Sequence, residues 1–275
     1  MNEPNRILFL SQEIYPYLAQ ETPIRVLNRQ LPEFFQAHGY DTRTFMPKFG
    51  DVNERRNQLH EVIRLSGLNL IIDDTDHPLI VKVASIQSAH IQIYFMDNED
   101  LFNHRKGITL DADGNEYADN DVRSIFFPRS VLETVRKLRW TPSIVHCSGW
   151  MSALAPIYVK KAYSDTPFFA KSKVVLSIDN NTYQTPFSTK FSQKLMVSGV
   201  RKNDVRSIAG FPVGYEELMR LAIDHADAIV MSAPDINPRV FNYAETSNKP
   251  ILKYGNNEPQ EYLDFYNSLL TGTAR

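Results

Sequence analysis

Ile7-Leu8-Phe9-Leu10-Ser11-Gln12-Glu13-Ile14-Tyr15-Pro16-Tyr17, answered later by Met46-Pro47-Lys48-Phe49-Gly50-Asp51, is the stretch that decides the fold of this chain. An apolar run that enters a polar loop, then a helix, then a second apolar run opens an α/β domain of the dinucleotide-binding type. Arg6 to Ser11 is predicted to be the first buried strand. Thr22-Pro23 reads as an N-cap followed by proline at the first helical position. Ile24, Leu27, Leu31, Phe34 and Phe35 fall on one helical face, and Gly39 is a natural stop. Thr42 to Met46 is the second strand, which implies a parallel pair joined by a right-handed crossover.

Outward from this unit the texture changes and then returns. Between Glu61 and Met96 the chain is β-rich, with apolar runs Val62-Ile63-Arg64-Leu65, Leu68 to Ile72, Leu79 to Ile86 and His90 to Phe95. Ser66-Gly67 and Asp73-Asp74-Thr75-Asp76 separate these runs, which predicts an antiparallel hairpin excursion. Asp97 to Asp119 is polar and punctuated by glycine, a long surface loop of the kind that often carries function. Asp119 or Asn120 is placed to cap the next helix, in which Val122, Ile125, Phe126, Leu132, Val135 and Leu138 recur at helical spacing. Pro128 is expected to kink or split that helix. Strands at Ser143 to Cys147, Lys173 to Ile178 and Ala228 to Met231 then alternate with helices at Trp150 to Tyr163 and Tyr215 to His225, and a terminal helix covers 258–270. The expected class is α/β, Rossmann-like: a mainly parallel twisted sheet flanked by helices, in one domain spanning 1–275.

Composition narrows the function. Thirty basic residues against 32 acidic ones leave a formal charge of −2, so no basic surplus exists to track a nucleic acid. The single cysteine, Cys147, excludes an intrachain disulfide and suits a reducing cytoplasm. No apolar stretch approaches the ~20 residues of a spanning helix, and the run at Ile7 to Leu10 is too short for an export signal. No membrane partner is expected. Asp111-Ala112-Asp113-Gly114 resembles the start of a calcium loop, but its glycine comes too early and Val122 stands where the closing glutamate belongs. Neither it nor Asp73-Asp74-Thr75-Asp76-His77 is read as a metal site, and no cofactor is expected.

Ligands of open parallel sheets bind beyond the carboxyl ends of the strands. That rule selects the segments after Ser11, Val145, Ile178 and Met231. They contain Tyr15-Pro16-Tyr17, His146-Cys147-Ser148-Gly149-Trp150, Asp179-Asn180-Asn181-Thr182-Tyr183-Gln184 and Ser232-Ala233-Pro234. Aromatic rings beside amides and hydroxyls suit a sugar, which offers apolar C–H faces and many hydroxyl groups. The candidate binding residues are Tyr17, Asp119, Asn120, His146, Trp150, Asn180, Tyr183 and Gln184, with His146 the one catalytic candidate. All but Tyr17 have a purely structural alternative: His146 as a core histidine, Trp150 as packing, Asp119 and Asn120 as a helix cap, Asn180, Tyr183 and Gln184 as loop braces. Arg123 is read as a structural ion pair. His146 and Cys147 are strand neighbours on opposite faces and cannot act as a pair.

The same words resemble the N-terminal, acceptor-side domain of bacterial glycogen and starch synthases. Val145-His146-Cys147-Ser148-Gly149-Trp150-Met151-Ser152-Ala153-Leu154 is similar to the synthase motif Val-His-Ala-His-Asp-Trp-Gln-Thr-Ala-Leu. Ser177-Ile178-Asp179-Asn180-Asn181-Thr182-Tyr183-Gln184 is similar to Thr-Ile-His-Asn-Leu-Ala-Tyr-Gln. Tyr117-Ala118-Asp119-Asn120 with Arg123 and Phe126, and Leu221 to Val230, follow in the family's order. The resemblance implies one half of a GT-B fold, storage α-glucan metabolism, and ADP-glucose-dependent α-1,4-glucan glucosyl transfer, with α-glucan and ADP-glucose as ligands.

Departures qualify that implication. The family's Lys-Thr-Gly-Gly-Leu phosphate loop reads Gln20-Glu21-Thr22-Pro23-Ile24 here, without the glycines that let backbone wrap a phosphate. Ser148, Gly149 and Asp179 replace the second histidine, the aspartate and the fourth-motif histidine. The family's nucleotide domain, whose cationic pair stabilises the leaving diphosphate, is expected to come from a separate C-terminal-type chain. Turnover by this chain alone is therefore not expected. A non-catalytic glucan-binding or regulatory domain, and a generic sugar or nucleotide binder, are the alternatives.

Overall fold

The computed structural model describes residues 5–87 and 91–274. Strand β1 (Arg6–Ser11) leads through helix α1 (Pro23–Ala37) to β2 (Asp41–Pro47). The Thr22 Oγ1 accepts from the Arg25 N–H at 3.3 Å, and Pro23 opens the helix, as its missing N–H costs nothing there. The excursion follows: β3 (His60–Glu61), β4 (Leu68–Ile72), β5 (Thr75–Ile86) and β6 (Ile91–Asp97). Helix α2 (Asn120–Lys137), β7 (Ile144–Ser148), the short α3 (Ala155–Ile157), β8 (Lys173–Ile178) and α4 (Phe191–Lys194) come next. The chain then adds α5 (Tyr215–His225), β9 (Ala228–Met231), α6 (Pro238–Glu245), β10 (Ile251–Leu252) and α7 (Pro259–Thr271).

The strands line up as β10-β9-β8-β7-β1-β2-β6-β5-β3, with β4 paired to β5 outside that row. Pairing is parallel from β10 to β6 and antiparallel among β3, β4, β5 and β6. Phe9 lies opposite Thr44 on one side and His146 on the other. The order therefore reverses between β1 and β7, and the crevice at their carboxyl ends is the switch point where such sheets bind ligands. Ile7, Phe9, Ile144, Val175 and Val230 pack under α1 and α7. Leu8, Val145, Cys147 and Leu176 pack on the opposite face with Ile125 and Leu132 of α2 and Leu221 of α5. Burial on both faces explains why these strands read as unbroken apolar runs.

Several local expectations are corrected. Val62 to Leu65 is a turn, because the Leu65 and Ser66 N–H groups both bond the Val62 carbonyl and the Ser66 hydroxyl takes over as acceptor for Val81. Thr75 and Asp76 belong to β5, so the hairpin turn is only Asp73-Asp74, whose φ angles of 50° and 59° are those of a tight primed turn. His90 lies outside the described residues. Pro128 sits inside α2 without dividing it, because Ile125, Phe126, Phe127, Val131 and Leu132 hold the helix in the core around the missing hydrogen bond. The expected helix from Trp150 to Tyr163 is broken into a 3₁₀ turn at Trp150–Ser152, α3, and a wide turn at Tyr158–Ala162, with Pro156 at the start of α3. Asp119 holds the cap position of α2 but makes no side-chain cap bond. Its carboxylate bonds Arg105 instead, at 2.8 Å. The loop after β6 contains a π-type turn, Glu99–Asn103, capped by the Asn98 side chain and burying Leu101 and Phe102. Helices α4 and α6 and strand β10 were not anticipated.

Candidate functional site

Four segments converge beyond the carboxyl ends of the parallel strands. After β1, the Gln12 N–H bonds the Ser148 carbonyl at 3.1 Å, and the Gln12 Oε1 accepts from the Met151 N–H at 3.0 Å. Gly149 makes this contact possible: its φ is +84°, and a Cβ there would meet the Gln12 side chain at 2.7 Å. The neighbouring Glu13 is buried. One of its carboxylate oxygens pairs with the Arg25 Nε, and the other accepts from the Asn181 Nδ2 at 2.6 Å. Arg25 also donates to the Gln20 carbonyl at 2.6 Å. The loop after β1 is thus tied to the first turn of α1 and to the loop after β8.

The loop after β8 is more open. Asp179 is buried and accepts from the Asn181 N–H at 2.8 Å. Burial raises its pKa from 3.8 to about 7, the charge of Glu13 adds to the rise, and the Asn181 hydrogen bonds hold it back. Asn180 and Gln184 are exposed. The Asn180 Nδ2 reaches the Asp235 carboxylate in the loop after β9 at 2.9 Å. The Gln184 and Thr185 N–H groups bond the two oxygens of Glu116 at 2.7 and 2.6 Å, which joins this loop to the one before α2. Beneath lies an aromatic layer. Tyr183 stacks on Phe187 with centroids 4.4 Å apart and touches Trp150 at 5.1 Å, while its hydroxyl donates to the Val213 carbonyl at 3.3 Å.

Asp119 and Asn120 stand at the start of α2. Asn120 is buried, donates to the Thr109 carbonyl at 3.1 Å and accepts from the Arg123 Nη1 at 2.7 Å. The expectation of a carboxylate ion pair at Arg123 is corrected: its guanidinium bonds the Ile108 carbonyl and lies against the rings of Phe49, Phe102 and Tyr117, 4.9 to 5.6 Å from their centroids. Burial pulls its pKa down to about 10, and the aromatic faces supply the negative potential a carboxylate would otherwise give.

The structure brings Asp119, Asn180 and Gln184 to one edge, with Trp150 and Tyr183 immediately below. It places two candidates elsewhere. His146 is buried on the α1–α7 face, where Nδ1 shares a hydrogen bond with the Tyr266 hydroxyl and the ring packs on Phe9 at 5.4 Å. Burial lowers its pKa to about 3, so it is neutral at ordinary pH. Tyr17 is buried edge-on against Phe95 at 4.8 Å, and burial raises its pKa to about 12. Sequence reasoning missed Glu13, Asn181, Glu116 and Asp235. Glu13 was the legible one, since it follows the first strand directly; the others are fixed by contacts between residues 55 to 168 positions apart.

Among the described residues no group of three or more His, Cys, Asp or Glu side chains is arranged to hold a metal ion, and no helix is long and apolar enough to cross a membrane. Cys147 is a free, buried thiol whose pKa burial pushes upward.

Comparison with known proteins agrees with this architecture. A glycogen synthase from Chlorobium luteolum is 33% identical over 232 residues, covering 82% of this chain and 47% of the relative. One from Chlorobaculum tepidum is 32% identical over 229 residues, covering 83% and 46%. The chain thus spans under half the length of the curated relatives it matches. Among solved structures, the catalytic domain of starch synthase IV from Arabidopsis thaliana, bound to ADP and acarbose, superposes with a TM-score of 0.70 at 13% identity, over 91% of this chain and 51% of that one. At that identity the likeness speaks for the fold, a mostly parallel sheet flanked by helices as in the GT-B enzymes. The starch synthase catalytic domain profile matches residues 6–242, which carries the switch-point crevice and all four converging loops. The chain belongs to the starch synthase catalytic domain family.

Proposed function

We propose that this chain forms the acceptor-facing wall of an α-glucan glucosyltransferase cleft. In this reading it binds linear α-1,4-glucan along the carboxyl edge of its sheet, in the cytoplasm, as one domain. Glucose transfer from ADP-glucose depends on a separate C-terminal-type nucleotide-binding domain. Asp119, Asn180 and Gln184 contact the sugar, while Asn120, Trp150 and Tyr183 hold the loops in place from below. His146 and Tyr17 support the sheet rather than the ligand.

The observation that carries this reading is the loop between β1 and α1. In α/β domains of this topology the helix after the first strand cradles a diphosphate with free N–H groups. Here Pro23 has no N–H, Thr22 caps the Arg25 N–H, and Arg25 is engaged by Glu13 and the Gln20 carbonyl. No glycine precedes Gly39 to relax the backbone. The amide-rich loop after β8, by contrast, keeps side chains at the surface. That favours a glucan-holding role over independent transfer, and a non-catalytic glucan-binding or regulatory role is the second reading it permits.

Calorimetry and a transfer assay on the purified chain test the proposal. Maltohexaose is expected to bind, ADP-glucose to give no heat, and glycogen to gain no glucose until a nucleotide-binding partner domain is supplied. Glucose transfer by the homogeneous chain alone would overturn it, and absence of maltohexaose binding would point to a generic binder outside glucan chemistry.

A further inference from the structure

A trench runs along the outer side of α1, between that helix and the segment joining β10 to α7. It consists of two adjoining cavities of about 540 and 380 Å³ that share Gln30, Asn256 and Asn257. The first continues past Phe34 to Ala37, and the second past Leu27 to Thr22. Fifteen residues of α1 correspond to roughly 22 Å at ~1.5 Å per residue, long enough for several linked sugar rings.

The walls are fixed before any ligand arrives. Helices α1 and α7 are locked by Phe35 stacked on Tyr266, with centroids 5.2 Å apart. The Asn257 backbone sits at φ 56°, its Nδ2 donates to the Ser232 carbonyl at 2.8 Å, and its Oδ1 accepts from the Tyr262 hydroxyl at 3.1 Å. Gly255 lies so close to Glu261 that a Cβ would meet its carboxylate at 2.8 Å. Beside this braced loop Tyr254 is 43% exposed.

The lining chemistry selects a ligand class. The exposed amides of Gln30 and Asn256 offer donors and acceptors, and the Tyr254 and Phe34 rings offer apolar faces. The ionisable side chains among the lining residues are Glu21, Glu33, Glu258 and Tyr254, with no lysine or arginine. Carboxylates accept hydroxyl hydrogen bonds but repel phosphates and nucleotides. We propose that the trench between α1 and the β10–α7 segment is a second binding site for a neutral oligosaccharide, distinct from the Asp119, Asn180 and Gln184 surface although its Thr22 end opens at the same carboxyl edge of the sheet. Its glucan specificity rests on the function proposed above. With two sites on one chain, a long glucan is held by effective concentration as well as by direct affinity.

Backbone-amide NMR of the full chain titrated with maltohexaose tests this, alongside Tyr254→Ala and Gln30→Ala variants. The expected result is two separate sets of shift changes, one at Asn180 to Gln184 and one at Gln30, Tyr254, Asn256 and Asn257. Tyr254→Ala is expected to abolish the second set, leave the first in place, and weaken retention on glycogen at least fivefold. Shifts confined to Asn180 to Gln184 would overturn the trench while sparing the proposed function. Shifts confined to the trench would support it and count against the edge. No shifts at either place would overturn both. ADP titrated as a control is expected to leave the trench residues unmoved, and ADP shifts there would refute a neutral-ligand site.

Discussion

The loops that follow β1 and β8 occupy equivalent places at the ends of strands on either side of β7, yet they use their polar groups differently. In the first, Gln12 and Glu13 are buried and engaged by Met151, Arg25 and Asn181. In the second, Asn180 and Gln184 stay exposed, held in position by Asp235 and Glu116. A polar group already satisfied inside the protein gains little from a ligand, because binding must first break what folding has made. A polar group at the surface exchanges water for a sugar hydroxyl at small cost. In the function proposed above the first loop is a fastener and the second a contact surface, and substitutions should separate stability from binding along that line.

The largest effect is expected at Glu13. Glu13→Ala leaves Arg25 without its carboxylate partner and the Asn181 side chain without its acceptor, and breaking a buried ion pair costs about 4 kcal/mol. Urea denaturation should report that loss, and a loss under about 1 kcal/mol would mean that the first loop is not a fastener.

A pH series sharpens the comparison at Asp179, the buried carboxylate that opens the second loop and feels the charge of Glu13 in the first. Its pKa is about 7 in the folded chain against 3.8 ordinarily, so the folded state holds the proton more tightly than the unfolded one. The stability this contributes is complete below about pH 4 and is lost as pH rises through about 7. Asp179→Asn keeps the acceptor for the Asn181 N–H but cannot ionise. The stability of wild type relative to Asp179→Asn should therefore fall steadily across that window. Neutral His146, depressed to about 3, contributes the opposite slope equally to both proteins and cancels from the difference. Parallel pH curves for the two proteins would show that Asp179 does not hold its proton.

The smallest change in stability belongs to Asn180. Asn180→Ala removes an exposed amide from Asp235 and should alter stability by no more than about 0.5 kcal/mol, while maltohexaose affinity in calorimetry drops severalfold. An unchanged affinity would move Asn180 to the fastening side of the comparison. Tyr183→Ala, three residues further along the same loop but buried against Phe187 and Trp150, should instead cost about 3 kcal/mol.

Much of the fold could be read without coordinates because its signals are local. The run Ile7 to Leu10, the Thr22-Pro23 cap and the stop at Gly39 each depend on residues within one or two turns of one another. Elements failed to read where a distant contact overrode local preference. The Ser66 hydroxyl bonding Val81 turned an apolar run into a loop, and the core packing around α2 carried the helix through Pro128. Strand β10, two residues long, has no pattern that could announce it.

The candidate site divides in the same way. The chain's own order of residues determined that polar and aromatic groups collect at the strand ends, and that the loop after the first strand carries no glycine. The tertiary structure alone decided which face of β7 His146 occupies, that Glu13 is joined to Asn181, and that the β10–α7 segment closes one side of a trench along α1. A period-two strand has two equivalent faces until helices are laid on it, and hydrogen bonds between residues far apart in sequence form only once the whole chain has packed.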